Sequence, residues 1–429
     1  LEPAVLVLGG GIAGIQAALD VAEQNVHVYL VERSPSIGGH MAMLDKTFPT
    51  LDCSLCILTP KMVDVARHPN VELLTYSEVI DVRRANPGFK VKVLKRARYV
   101  DESKCTGCGI CTEHCPIEAP DEFNMGLSPR RAIYIPFPQA VPKVAVIDYE
   151  RCIRCGLCQL ACEAGAIDFK QKDQELELHV GAIIVATGFR QVDVSALSEY
   201  GYGRFPNVIT ALELERLLNA AGPTAGELLR PSDGKAPKRI AFIQCVGSRD
   251  VRLNRPYCSR VCCMYAVKNA ILIREHHPEA DVAIYFIDIR AYGKGFEEFV
   301  QRAEGEFGIK LVRGRVARLE EDPSTGDLWL AAEDVSSGKV VMERYDLVVL
   351  SAGLVPPEGS EALAKLLGLS TDGYGFFSGP NLKLNPVLAQ DGIFICGCAA
   401  GPKDIPDSVA EASAAAMEAV NYLREVGLL

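Results

Sequence analysis

Ala4 to Leu8 is an unbroken apolar run of strand length, Ile12 opens an Ala-rich stretch, and a second apolar run from Val26 to Val31 stops at Glu32. Strand, helix and strand in that order predict a parallel βαβ unit, because strands buried on both faces read as continuous apolar runs. Further strands are expected at Val71 to Tyr76, Phe89 to Leu94, Ala182 to Gly188, Arg239 to Gln244, Val282 to Asp288, Lys310 to Leu319, Leu328 to Ala332 and Asp346 to Gly353. A last strand within Asp391 to Cys398 then leads into a long Ala-rich helix from about Asp407. Two stretches break the pattern. Tyr134 to Val141 is Pro-rich and reads as an irregular linker, and Gly222 to Lys238, rich in Gly, Pro and Ala, reads as another.

Between the first strand and helix lies Gly9-Gly10-Gly11-Ile12-Ala13-Gly14. Gly9, Gly11 and Gly14 form a G-x-G-x-x-G that lets backbone approach a pyrophosphate at a helix N-terminus, and Glu32 is placed to bond a ribose hydroxyl. The glycines alone are a weak signal; with the flanking elements and the acid they point to an adenine dinucleotide. Gly38-Gly39 leans towards FAD, as does the strand ending Ala186-Thr187-Gly188, whose plainer reading is a parallel strand with a Gly turn. The strand before Gly397 is where such flavoproteins commonly meet the flavin. An Asp usually follows that Gly, but here Cys398 does, so the contact is expected to move to backbone amides near Ile405, Asp407 and Ser408.

The chain has 429 residues, enough for two or three domains, and its 45 Lys and Arg against 55 Asp and Glu argue against nucleic acid or an anionic membrane as partner. No apolar run approaches the roughly 20 residues of a membrane span. Sixteen Cys in a long chain without a signal-peptide pattern are expected to be reduced, metal-binding and cytoplasmic.

Eight of those Cys fall in two runs, Cys105, Cys108, Cys111 and Cys115 followed by Pro116, then Cys152, Cys155, Cys158 and Cys162. Tandem C-x2-C-x2-C-x3-C supplies eight thiolates for two [4Fe–4S] cubanes, the fourth Cys of each run crossing to the other cluster. One cluster would take Cys105, Cys108, Cys111 and Cys162, the other Cys152, Cys155, Cys158 and Cys115. Zinc ribbons favour separated C-x2-C pairs, and disulfides fit neither the spacing nor the Gly after Cys108 and Cys155. Cys53 and Cys56 form a C-x-x-C readable as a redox disulfide, a ligand pair or two small buried residues. In the second nucleotide-type region no glycine fingerprint recurs. Cys245, Cys258, Cys262 and Cys263 stand there instead, and the residue chemistry leaves a third cluster and buried structural thiols evenly matched. Cys396 and Cys398 read more readily as small buried residues.

Several phrases together resemble the A subunit of heterodisulfide reductase: S-I-G-G-H-M-A-M-L-D-K-T-F-P-T-L-D-C-S-L-C-I-L-T-P-K-M from Ser36, F-I-Q-C-V-G-S-R-D from Phe242, Y-C-S-R-V-C-C from Tyr257 and G-P-K-D-I-P-D-S-V from Gly401. The resemblance implies an α/β, thioredoxin-reductase-like flavoprotein with two dinucleotide-binding domains and an inserted two-cluster ferredoxin. The expected division is an FAD domain in residues 1–95, 171–200 and 346–429, the ferredoxin insertion in 96–170, and a second nucleotide-type domain in 201–345. It implies a third [4Fe–4S] cluster on Cys245, Cys258, Cys262 and Cys263, and Lys268 stabilising a reduced flavin with Glu215 as its counterpart; a solvated helix lysine is the plainer reading of Lys268. Implied partners are B-type and C-type heterodisulfide reductase-like subunits, a hydrogenase, formate dehydrogenase or similar donor module, and ferredoxin. The N-terminal domain and C-terminal ferredoxin domain of longer members are expected to be absent. Flavin-based bifurcation or confurcation is the expected activity. An NAD(P)H oxidoreductase resembling the small subunit of glutamate synthase and a passive electron relay are the alternatives.

Overall fold

The computed structural model describes residues 3–380 and 384–429. It divides into two compact units, the first made of residues 1–42, 55–189 and 356–429, the second of 43–54 and 190–355.

The first unit is built on a six-stranded sheet in the order Leu388–Gln390, Ile393–Ile395, Ala182–Val185, Ala4–Leu8, His27–Glu32, Val71–Thr75. All neighbours are parallel except the first pair. Every residue of Ala4–Leu8 and Ala182–Val185 is buried, as central strands covered on both faces must be. The helices Ile12–Ala22 and Ile405–Glu425 pack on one face through Ala17, Ala18, Ala412, Ala415 and Ala416. Small side chains there let two backbones approach closely.

A second, antiparallel sheet runs Gln174–Val180, Phe89–Lys95, Ser77–Arg84. Gln174 pairs with Lys95 and Val180 with Phe89, so the ferredoxin segment leaves and re-enters through adjacent strands. The Pro-rich stretch read as a linker is irregular but pinned. Phe137 is buried and stacks on Phe123 at 4.6 Å, and Val141 exchanges hydrogen bonds with Ser36 and Ile37.

The second unit carries a five-stranded parallel sheet, Val208–Thr210, Leu347–Ala352, Arg239–Val246, Asp281–Phe286, Lys310–Arg313, with an antiparallel sheet of Val316–Glu321, Leu328–Asp334 and Lys339–Tyr345. This corrects the expected division. Residues 346–355 do not return to the flavin sheet, because Leu347–Ala352 is a central strand here, paired on both sides. Residues 43–54 and 190–200 also belong to this unit.

Candidate flavin cradle and cluster ligands

In the first unit, Gly9 sits at φ +106 and a Cβ there would lie 2.4 Å from the Ala186 carbonyl oxygen; a Cβ on Gly14 would lie 1.8 Å from the Gly9 oxygen. Both contacts are to backbone, so only glycine lets the first turn meet the Ala186-Thr187-Gly188 turn and the helix begin beside the strand. A Cβ at Gly11 or Gly188 would meet nothing, so both border open space at the start of helix Ile12–Ala22. Gly38 donates to the Gly10 carbonyl at 2.7 Å, and Gly39 lies against Gly11. Glu32 accepts from the Gly10 amide at 2.6 Å and the Ser34 amide at 2.7 Å, which locks its carboxylate at the strand end. Thr187 Oγ1 is buried without a protein partner. A buried orphan hydroxyl beside open space and a helix N-terminus fits the polar groups of a dinucleotide.

At the other edge of this cradle Gly397 adopts φ +63, and a Cβ there would press on Ala13 at 2.8 Å. Its amide donates to Glu411 at 3.1 Å, and its carbonyl accepts from Lys403 Nζ at 2.7 Å; Lys403 and Glu411 pair at 2.7 Å. This ring of bonds fixes the turn, and Cys398 Sγ donates to the Lys403 carbonyl. The amides of Asp407 and Ser408 are taken up by Asp404, the N-cap of the last helix, which leaves Ile405 at the helix start. Cys396 is fully buried, and burial and then Glu411 push its thiol up to about 12. Lys403 and Glu411 escaped sequence reasoning because only the fold brings them to Gly397. His40, stacked on Phe189 at 4.2 Å with its pKa lowered to about 4 by burial, escaped it likewise.

In the ferredoxin insertion Gly109 and Gly156 are left-handed at φ 84 and 79 and start the short helices Ile110–Glu113 and Leu157–Ala161. Matching bonds, Cys105 amide to Asp101 and Cys152 amide to Asp148, both 3.0 Å, show that the runs repeat one local fold. Cys115, Cys152, Cys155 and Cys158 line one apolar cavity with Ile117, Ile133, Ile147, Ile153 and Phe169. They are the four thiols expected to share a cluster. Burial raises the Cys111 thiol and pushes Cys158 up to about 11, so both stay protonated near neutral pH unless a bound metal offsets the charge of the thiolate. Among the described residues no three His, Cys, Asp or Glu side chains converge on a single-ion site. A cubane differs, since each thiolate binds a different iron. Arg98, 2% exposed, ties the insertion to the flavin sheet through the Pro35 carbonyl at 2.6 Å, Thr75 Oγ1 and Glu102.

In the second unit Cys262 and Cys263 begin the helix Cys262–His276, and Cys245, next to the last residue of the strand Arg239–Val246, adopts φ 60. Cys262 and Cys263 are buried, Cys245 and Cys258 partly so. Burial raises Cys245 and Cys262 and pushes Cys263 up to about 11. Lys268 is not the solvated helix lysine of the plainer reading. Its side chain is 1% exposed and pairs with Glu215, itself 3% exposed, which also accepts from the Asp45 amide at 3.0 Å. Cys53 and Cys56 are disulfide-bonded, one of the three readings of the C-x-x-C.

The models of two families match: a 4Fe-4S dicluster domain over residues 104–167 and an FAD dependent oxidoreductase over residues 4–47. The A subunit of the H(2):CoB-CoM heterodisulfide,ferredoxin reductase of Methanothermobacter marburgensis is 55% identical over 420 residues, covering 98% of this chain and 64% of that protein. The second iron-sulfur A subunit of the CoB--CoM heterodisulfide reductase of Methanopyrus kandleri is 57% identical, covering 97% of this chain and 64% of its own length. Heterodisulfide reductase A subunits thus match nearly the whole of this chain at more than half identical positions.

The chain spans somewhat less than two thirds of the length of these relatives. Its fold is shared with thioredoxin reductases of Lactococcus lactis (TM-score 0.53, 17% identity, 99% of this chain and all of that one) and T. acidophilum (TM-score 0.54, 12% identity, the same coverage). Like them, this homologue of the heterodisulfide reductase A subunits is an α/β protein of two nucleotide-type units, with a dicluster segment added. Among the described residues no helix is long and apolar enough to cross a membrane.

Proposed function

We propose that the chain is the FAD and iron-sulfur electron-transfer subunit of a heterodisulfide-reductase-like complex, a cytoplasmic oxidoreductase component that bifurcates or confurcates electrons between cluster chains. The observation that carries this reading is the single apolar cavity lined by four thiols from two separate Cys runs, in the same unit as an intact glycine cradle. FAD, when bound, takes up electrons in pairs and releases them singly. Gly9, Gly11, Gly14, Glu32, Gly38, Gly39, Thr187 and Gly188 would hold its dinucleotide. Gly397, Cys398 and the helix start at Ile405 would meet the remainder, the amides of Asp407 and Ser408 being taken by Asp404. Arg98 and Val141 keep the cluster segment fixed to that cradle.

Two cubanes are assigned to the ligand sets given above, and a third to Cys245, Cys258, Cys262 and Cys263. Lys268, held by Glu215, supplies a buried positive charge to offset the charge gained on reduction. The names of relatives mention hydrogen, formate and F(420)H(2), which supports hydrogenase- or formate-dehydrogenase-type donors, ferredoxin, and B-type and C-type subunits as partners. Anaerobic purification should give about twelve iron atoms and one FAD per chain. About eight iron atoms would remove the third cluster, and a folded, colourless, iron-free chain would remove the whole reading. Direct NAD(P)H oxidation is disfavoured because thiols begin the helix where a pyrophosphate would need glycine; flavin bleaching by NADPH in stopped flow would restore it. Two well-separated one-electron waves in a flavin titration would favour the passive relay.

A further inference from the structure

The two Cys runs form an internal control. They share spacing, left-handed glycines and short helices, yet their surfaces differ. Ile153, Leu157 and Leu160 of the second run are 62%, 44% and 86% exposed. The matching positions of the first run hold Thr106, Ile110 and Glu113, of which only Ile110 is apolar, at 37% exposure. The same local fold therefore forms under a more polar surface, and the apolar side chains of the second run are not required by it. Exposed apolar residues gathered at one place mark contact sites. Leu157 and Leu160, three apart on a helix, share a face. Ile153 also lines the cavity with Cys115, Cys152, Cys155 and Cys158, so the side chain that meets solvent is the one that covers the sulfurs. Cys155 itself is exposed, as is Cys108 of the first run, so access to sulfur does not distinguish the two.

Charge differs in the same sense. Beside the first run exposed Glu102, Glu113 and Glu118 outweigh Lys104, while beside the second Arg151 and Arg154 balance exposed Glu150 and Glu163; Arg154, against the ring of Tyr149 at 4.3 Å, stands where the first run has Gly107. Arg151, half exposed, lies at the entry to the second run. An apolar centre with guanidinium groups at its margin suits a partner with an apolar centre and an acidic rim.

We propose that the second Cys run, and not the first, is the docking face for a small one-electron carrier protein with an acidic rim. The inference rests on the two-cluster reading above. One electron passes between the carrier and the cluster of Cys115, Cys152, Cys155 and Cys158; whichever gives it up is oxidised by one unit, the other is reduced by one, and no bond or proton is exchanged.

The test transplants the first run's own surface. The whole chain, anaerobically loaded with iron and FAD, is mixed in stopped flow with a pre-reduced acidic two-cluster ferredoxin, and cluster reduction is followed against ferredoxin concentration. Ile153→Thr with Leu160→Glu should raise the half-saturating concentration at least about tenfold, and Arg154→Gly should flatten its salt dependence. Ile110→Glu in the first run should change neither. Iron content and the low-temperature EPR of the reduced clusters should stay as in the parent chain, because Thr and Glu occupy the matching places over the other cluster. Leu160→Glu alone, remote from the cavity lining, is the second variant should Ile153→Thr cost iron. Unchanged saturation in the double variant or in Leu160→Glu with iron intact, an equal loss from Ile110→Glu, or a loss of self-association with carrier kinetics intact, which would assign the face to a second copy, would each overturn the proposal. A parent chain without clusters would instead overturn the reading beneath it.

Discussion

Each of the two units has a parallel sheet whose strand runs into a helix at the place where a nucleotide-binding fold keeps its ligand, and they treat that place differently. In the first, glycines at 9, 11 and 14 bring backbone against backbone and leave open space at the start of helix Ile12–Ala22. In the second, the strand Arg239–Val246 carries Cys245 next to its last residue and its helix starts with Cys262 and Cys263. The same architecture thus presents amides and a helix dipole in one unit and thiols in the other. Fold alone does not say what is bound; the side chains at that junction do.

The contrast can be broken most completely at Gly14. Gly14→Ala sets a Cβ against the Gly9 carbonyl and should cut FAD retention at least about a hundredfold, on the order of 2.7 kcal/mol, read as the flavin-to-protein absorbance ratio, with iron retained. Next, Lys268→Met strands Glu215 in the interior and should destabilise the chain by about 3–5 kcal/mol in urea unfolding. Lys268→Met with Glu215→Leu should recover most of that loss, since the stranded charge is then gone. A single mutant with unchanged stability would show that the pair is not buried in solution. Cys262→Ser sharpens the contrast from the other side, lowering iron by about four atoms per chain while FAD stays bound; unchanged iron would return these thiols to a structural role. The smallest effect is expected at Thr210, which caps helix Ala211–Leu218 in a reciprocal box with Glu213. Thr210→Ala should cost about 1 kcal/mol in the same unfolding experiment and leave both cofactor ratios unchanged.

Much of this was legible in the chain. The glycine turn, Glu32 at a strand end and the Cys runs follow from local rules of spacing and backbone approach, and the structure has strands and turns where those rules put them. The domain boundaries were less legible. Leu347–Ala352 ends in an A-G resembling the Ala186-Thr187-Gly188 turn, and one strand cannot declare which of two parallel sheets it enters; pairing with Val208–Thr210 and Arg239–Val246 decides it. The Lys403–Glu411 ring around Gly397 was invisible for a related reason. Its members are ordinary charged residues near a helix start, and only the left-handed turn at Gly397 aims both backbone groups at them.

The ladder from Gln174 to Val180 against Phe89 to Lys95 makes the metal-bearing segment a cassette, with both ends arriving at one doorway. A tight turn joining Lys95 directly to Gln174 would close a plain hairpin and leave the six-stranded sheet whole, without the eight Cys of the two runs. Insertion through such a doorway is a route by which an ordinary flavoprotein could gain conductors without rebuilding its interior.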